Sequence, residues 1–424
     1  MKTSLREFRS LSERRADFPS LARTHGGRPL VYLDGPAGTQ MPEQVIAGIA
    51  RYYRTCNANT HGQFITARES DALIEKTRES VAAFLGAEGG HCISFGANMT
   101  TLNFALSKAI ARQLRPGDEI LITQLDHEAN RGPWLSLREQ GIIVREIAIT
   151  RNASLDYADL REKVNERTRL VAMGWASNAF GTVNDVRLAR ELTYRVGALL
   201  LVDAVHYTPH MSIDVGSSGV DFLLCSAYKF YGPHVGILYA REGLLDSLQT
   251  DRLRTADPRA PHRIETGTQN HAALAGVQAA IEYIASLGRG ATLRTRLVNA
   301  MTLLFSYEHQ LGKRLYGGLS RIPGVTVYGR PFTRELRAPT VSFTVDGKRA
   351  EEVSALLGEK GFCTWDGHFY AIRALEVLGL LERGGVVRVG ISLYTAAAEV
   401  DRLLEEVQNV SAMRTNSHDE QNRR

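Results

Sequence analysis

The chain has 424 residues, 44% of them hydrophobic and 23% charged, with a formal net charge of +5, which is enough chain for two domains or for one large domain with a smaller companion. The 51 basic residues are eight lysines and 43 arginines, the latter scattered among acids over the whole length. There is no basic stripe and no nucleic-acid motif, so no nucleic-acid partner is expected.

No apolar stretch reaches the roughly 20 residues that cross a bilayer, which argues against a membrane partner. The first thirty residues are basic but lack the continuous apolar core of a secretory leader. Cys56, Cys92, Cys225 and Cys363 form no C-x-x-C pair. A reduced, cytoplasmic setting is therefore expected, with no disulfide framework and no metal site.

In chain order, "DALIEKTRESVAAFLG" at 71–86 carries apolar residues at helical spacing and ends in glycine, which predicts a helix over 71–85. From about residue 90 to 240, short apolar runs alternate with longer amphipathic stretches. "EILIT", "RLVAMGWA", "ALLLVDA", "DFLLCSA" and "VGILYA" read as buried strands, while "MTTLNFALSKAIARQL", "ASLDYADLREKVNE" and "DVRLARELTYRVG" read as the helices between them. This alternation predicts an α/β fold with a largely parallel sheet covered on both faces. A small-residue helix, "HAALAGVQAAIEYIASLG", and a long amphipathic one beginning "TLRTRLVNAM" come next. The remainder alternates strand and helix patterns as a smaller α/β unit would. The expected domains are a large one over 29–295 and a small one built from 1–28 and 296–424, with 410–424 a disordered polar tail.

G-x-G-x-x-G after a strand, G-x-x-x-x-G-K-[ST], H-E-x-x-H and G-x-S-x-G are all absent, which weakens nicotinamide, P-loop, zincin and α/β-hydrolase readings. What remains is a set of polar residues at the carboxyl ends of predicted strands, where open α/β sheets bind ligands. Asp203 ends an entirely apolar run, with His206 three residues on. A carboxylate there either caps a helix or meets a cation or several donors, since otherwise desolvation neutralises it. Lys229 follows the strand "LLCS" in "SAYKFYGPHVGIL"; it is either a snorkelling surface lysine or a dehydrated amine suited to Schiff-base chemistry. "SFGANMTTLN" sets Ala97 and Asn98 between a strand and a helix start, a potential anion cradle. His127 in "LDHEAN" is a base, a flat ring against a planar ligand, or a structural histidine. Asn178 in "SNAFGT" is delivered to another strand end. Taken together, these groups describe pyridoxal phosphate: a Schiff-base lysine, a carboxylate for the pyridinium nitrogen, a phosphate cradle and a ring partner.

The motifs "VDAVH", "SAYKFYGPHVGILY", "LDHEAN", "SNAFGT", "RIETGTQN" and "VVRVGISLY" resemble those of the class V aminotransferase family of fold-type I pyridoxal-phosphate enzymes, most closely its cysteine desulfurase-like branch. The resemblance runs from about residue 31 to about 404. It implies that Lys229 carries the cofactor, Asp203 partners the pyridine nitrogen and His127 stacks on the ring. It also implies phosphate contacts from Ala97, Asn98, Ser226 and Tyr228, with Thr268 contributed by the neighbouring subunit of a homodimer. Asn178 and His206 fall near the phenolic oxygen, where the family commonly has Gln at the position of His206. Arg388 falls on the arginine that clamps the substrate carboxylate. An amino-acid substrate is implied, bound at a subunit boundary.

One departure bears on the reaction. Desulfurases of this branch use a loop cysteine in a Gly-His-His-Cys context, whereas this chain reads "TWDGHFYAIRALEVLG", with Tyr370 where the cysteine would stand. Tyrosine cannot carry a persulfide. Tyr370 is then an acid/base group, a substrate-pocket wall or ordinary packing, and Cys363 is the nearest thiol. The expected activity is a cysteine desulfurase-like C–S lyase working by β-elimination. An aminotransferase or epimerase of the same family is the alternative, and an amino-acid sensor on the same fold is the non-catalytic one.

Overall fold

The computed structural model of the chain describes residues 11–333 and 336–413. Its centre is a seven-stranded sheet of β1 (Ile93–Gly96), β2 (Glu119–Thr123), β3 (Ile143–Ile147), β4 (Thr168–Gly174), β5 (Leu199–Asp203), β6 (Phe222–Ser226) and β7 (Gly236–Ala240). The spatial order is β1-β7-β6-β5-β4-β2-β3. All neighbours are parallel except β7, which runs antiparallel to both β1 and β6. Strands β2, β4, β5, β6 and β7 are buried along nearly their whole length, as a helix-covered sheet requires, while edge strand β3 is partly exposed.

Local chemistry sets the helix boundaries. Asp156 accepts from the amides of Ala158 and Asp159, and Asp185 from that of Leu188. These caps start helices Tyr157–Lys163 and Val186–Val196. The helix expected over 71–85 begins earlier and spans Ile65–Leu85, closing on Gly86 at φ 71°. Its opening turn is mostly polar and shows little periodicity, yet Ala67 and Ser70 there are buried.

A second sheet is antiparallel throughout: β8 (Val325–Tyr328), β9 (Thr340–Val345), β10 (Trp365–Gly367) and β11 (Val386–Gly390), in the order β8-β9-β11-β10. The last helix, Ala397–Ala412, corrects the expectation that disorder starts at 410. Val410 is buried with Val407 in the apolar cluster behind this sheet, and that burial carries the helix two residues further. The rest of the expected tail, 414–424, lies outside the described residues.

Two connections bring the N-terminal segment and the first long strand–helix turn against the carboxyl ends of the large sheet. Strand Val31–Tyr32 pairs in parallel with Phe362–Cys363, so the segment after it passes beside the large sheet. There the Thr39 amide and hydroxyl both donate to the Tyr228 carbonyl, at 3.1 and 3.0 Å, and the Tyr231 amide donates to Thr39 Oγ1 at 2.8 Å. At Gly236 the start of β7 touches the turn before helix Met99–Ala111: a Cβ there would lie 2.3 Å from the Asn98 carbonyl carbon. Gly236→Ala is expected to force strand and helix apart at a cost of ~1–3 kcal/mol, measured as a lower denaturant midpoint. An unchanged midpoint would show that the contact relaxes freely.

Candidate functional site

The carboxyl ends of β2, β4, β5 and β6 and the start of helix Met99–Ala111 surround a cavity of about 210 Å³. Asn98, His127, Asn178, Asp203, His206, Ser226, Tyr228, Lys229, Tyr370 and Arg388 all line it, each of them singled out from the sequence. Ala97 and Thr268 do not; they share an adjoining cleft on the far side of the helix start, where both are exposed.

Lys229 lies on a single 3₁₀ turn, Ala227–Lys229, directly after β6. Its amine donates to the carbonyls of Pro36 and Ala37, the latter at 2.9 Å. Both carbonyls belong to the segment that Thr39 anchors. Burial, with repulsion from Arg388, lowers the amine from its ordinary range to about 7. Asp203 stands at the end of β5 with one hydrogen bond, from the Val205 amide at 2.9 Å. Burial pushes its carboxyl up to about 7 against that donor, with Asp126 adding to the rise. This acid is short of a cationic partner.

His127 caps the 3₁₀ turn Glu128–Asn130 by accepting the Ala129 amide at Nδ1, 2.9 Å. Burial and the charges of Lys229 and Arg388 lower its pKa to about 4, so the ring is flat and neutral near pH 7. Asp126 beside it accepts from Asn130 Nδ2 and from the Gly174 amide, both at 2.9 Å. It thereby ties the loop after β2 to the end of β4.

At the helix start, Asn98 Oδ1 takes the Thr101 amide at 2.9 Å and Ser226 Oγ takes the Met99 amide at 3.1 Å. Thr100, between them, also lines the cavity. Tyr228 stacks on His234, centroids 4.6 Å apart and planes within 8°.

Across the cavity, Arg388 on β11 is buried. Its Nη2 donates to Asp34 Oδ1 at 3.0 Å and its Nη1 to the Asn178 carbonyl at 3.2 Å. Its guanidinium carbon lies 4.1 Å from the Phe369 ring centre, while Nε has no hydrogen-bond partner among the described residues. The Asn178 side chain is engaged too, donating Nδ2 to the Phe369 carbonyl at 2.8 Å. Phe369 and Tyr370 have φ of 52° and 58°, a left-handed pair that side-chain-bearing residues adopt only when held. The holding groups are Asn178 on one carbonyl and the Glu128 amide on the other, 2.8 Å from the Tyr370 oxygen. The Tyr370 ring centre is 5.3 Å from that of His127. No cysteine lines the cavity among the described residues. Cys363 pairs with Tyr32 outside it, its thiol pushed up by burial and by Asp34.

Sequence reasoning missed Asp34, Asp126, Thr100, Trp365 and Phe369. Asp34 was the most accessible of these, since "VYLDG" ends an apolar run in an acid much as "LLLVDA" does.

Thr100, Asn98, Ser226 and Tyr228 suit a phosphate, the underpartnered Asp203 suits a cationic ring nitrogen, and the low-pKa Lys229 suits a carbonyl carbon. Pyridoxal phosphate therefore fits the groups present. Comparison with known proteins agrees. The aminotransferase class-V family model matches residues 31–403. A cysteine desulfurase of Pectobacterium carotovorum is 32% identical over 412 residues, covering 93% of this chain and 97% of the relative. Two solved structures superpose closely. A cysteine desulfurase from Thermococcus onnurineus has a TM-score of 0.84 at 27% identity, covering 94% of this chain and 97% of its own. One from Escherichia coli has a TM-score of 0.82 at 26% identity, covering 95% and 98%. With the fold, the site and the match over most of its length in agreement, the chain belongs to the class V aminotransferase family, in its cysteine desulfurase-like branch.

Proposed function

We propose that this enzyme is a pyridoxal-phosphate-dependent C–S lyase that cleaves a cysteine-type amino acid by β-elimination. The observation that carries this reading is the buried Lys229 amine, which shares one cavity with the buried Asp203 carboxyl and the Arg388 guanidinium. Bound here, the cofactor supplies an electron sink for the electrons released at Cα.

The chain's own residues do the remaining work. Arg388, gripped by Asp34, binds the substrate carboxylate and fixes which Cα bond faces Lys229. Lys229, neutral for a useful fraction of the time at pH 7, takes the Cα proton. Asp203 would hold a positive charge on the ring nitrogen of the bound group, and that charge would in turn stabilise its carboxylate. His127 offers a neutral ring face. Tyr370, on the substrate side, protonates the departing sulfur or walls the pocket. Overall, RS–CH₂–CH(NH₃⁺)–COO⁻ and water give RSH, pyruvate and ammonium. Elimination is favoured over sulfur transfer because the cavity lining offers Tyr370 and no thiol to receive the sulfur. The exposed position of Thr268, beside Ala97 at the helix start, supports a homodimer in which Thr268 of one copy completes the phosphate site of the other. A cytoplasmic setting goes with this reading.

Three outcomes test it. Incubated with cysteine and its S-conjugates, the enzyme is expected to release pyruvate, ammonia and thiol in equal amounts, and Lys229→Ala to release none. Alanine as product would establish desulfuration, a keto acid retaining its sulfur would establish transamination, and the D-amino acid would establish epimerisation. Arg388→Lys is expected to raise KM by ~30-fold or more, because a point charge loses the bidentate grip; an unchanged KM would remove Arg388 from the carboxylate. In the cofactor-free protein, an amine-directed acylating reagent should modify Lys229 with a midpoint near pH 7, read by peptide mass spectrometry. Because the folded pKa lies below the unfolded value, stability should also rise with pH from about 7 towards 10.5 through this residue. A midpoint near that of surface lysines would overturn the dehydrated-amine assignment.

A further inference from the structure

Two walls of the cavity are spent neither on the cofactor nor on the substrate carboxylate. Among the described residues that line it, only Trp365 and Tyr370 are exposed, at 41% and 56%. The others are buried or half-buried, so these two rings stand at the opening. Trp365 begins β10, the edge strand of the second sheet, and pairs across the ladder with Arg388. Residues paired in this way point to the same face, and the Arg388 guanidinium carbon accordingly lies 5.6 Å from the Trp365 ring centre. The buried Phe369 meets Trp365 edge-on, centroids 6.2 Å apart at 67°. Tyr370 stands against His127 instead, with ring centres 5.3 Å apart.

The charged residues lining the cavity are Asp126, Asp203, Lys229 and Arg388. Asp126 is tied to Asn130 and to the Gly174 amide. The chemistry proposed above engages Asp203 and Lys229 at the cofactor and Arg388 at the substrate carboxylate. Burial, more than any neighbouring charge, keeps His127 and His206 neutral. No charge in the lining is left to meet a second ionised group on the substrate. A sulfur carrying another amino-acid unit would bring an ammonium and a carboxylate to a place without partners for them, at a cost in desolvation. Free cysteine is too small to cover the two rings. A neutral apolar group on the sulfur would cover them and gain in proportion to the area removed from water. A flat group would add the edge-on or offset contacts that aromatic rings favour.

We propose that Trp365 and Tyr370 form a subsite for a neutral aromatic substituent on the substrate sulfur, so that the enzyme acts on S-aryl- or S-aralkyl-cysteines in preference to cysteine or to two amino acids joined through sulfur. The inference rests on the C–S lyase reading and names the leaving group of that reaction, an apolar thiol. The Cβ–S bond breaks with its electron pair on sulfur, which takes up one proton. The enamine left behind is hydrolysed by water to pyruvate and ammonium. Trp365 and Tyr370 are thereby specificity-determining residues, reached by the substituent and not by Cα.

The test compares kcat/KM of the holoenzyme for S-benzylcysteine, S-methylcysteine, cysteine and cystathionine. S-benzylcysteine should lead by ~10-fold or more, the scale of a filled apolar pocket, and cystathionine should be the poorest. Trp365→Ala should cut the ratio of S-benzylcysteine to S-methylcysteine by ~10-fold, chiefly through KM, and Trp365→Phe, which keeps a ring, should cut it less. Tyr370→Phe keeps the wall and should keep the ratio. An unchanged ratio in Trp365→Ala would overturn the subsite, as would a wild type that prefers cysteine or cystathionine. A second readout needs no turnover. By calorimetry, 3-(benzylthio)propanoate should bind the wild type ~10-fold more tightly than 3-(methylthio)propanoate, and the gap should close in Trp365→Ala; equal binding in the wild type would refute the proposal. Thiol release from none of the four amino acids, with the gap in propanoate binding intact, would instead refute the lyase reading and leave the aromatic subsite standing.

Discussion

Everything in the site depends on keeping one amine dry. The Lys229 turn is closed from three sides: by β6 behind it, by the carbonyls of Pro36 and Ala37 in front of it, and by Tyr228, whose own carbonyl holds Thr39. A lysine with two carbonyl acceptors and little water is stabilised less as a cation than it would be in bulk solvent, and its pKa falls accordingly. The arrangement needs the N-terminal segment to cross from the second sheet to the first. The short parallel pairing of Val31–Tyr32 with Phe362–Cys363 starts that crossing. The close approach at Gly236 keeps the returning strand against the helix start, so Lys229 and the first residues of that helix line one space.

Around that amine the charges are arranged in incomplete pairs. Arg388 has Asp34 as counter-ion, but its Nε is unmet and its carbonyl partner Asn178 is neutral. Asp203 has a single amide donor where a buried carboxylate needs a cation or several donors. His127 is made neutral by burial and, to a lesser extent, by the same cations. A cationic ring nitrogen, an anionic phosphate and a substrate carboxylate would supply the missing partners. The cavity is thus pre-organised for charges that arrive with its ligands, and the electrostatic cost of burial is offset on binding and not on folding.

The sheet was legible because buried strands announce themselves: five apolar runs were readable, and the polar residues after the four parallel ones converge on the cavity. Boundaries were less legible where periodicity was diluted, as in the first turn of Ile65–Leu85, or where one apolar residue decided, as Val410 does. Side chains that act through geometry alone left no pattern. The left-handed conformation of Phe369 and Tyr370 cannot be inferred from "GHFYA", since neither residue favours it and the constraint comes from Asn178 and Glu128, both far away along the chain. Trp365 is likewise unremarkable in "TWDGH" until the strand register sets it beside Arg388. Ala97 and Thr268 show the complementary limit, since motif position put them at the site while the fold sets both in an adjoining cleft.

The strained loop separates the cofactor site from the reaction it serves. Two successive residues at positive φ are held by hydrogen bonds from the large-sheet loops, and strain of this kind costs about 1–3 kcal/mol per residue. That strain fixes what stands opposite the substrate. With Phe369 under the Arg388 guanidinium and Tyr370 beside His127, the loop carries two aromatic rings to positions where a mobile thiol would need freedom to reach in and carry sulfur away. A phenol fixed in place can lend a proton, but it cannot accept a sulfur atom. The proposed elimination therefore turns on this loop, and the cofactor assignment on Lys229, Asp203 and the helix-start cradle.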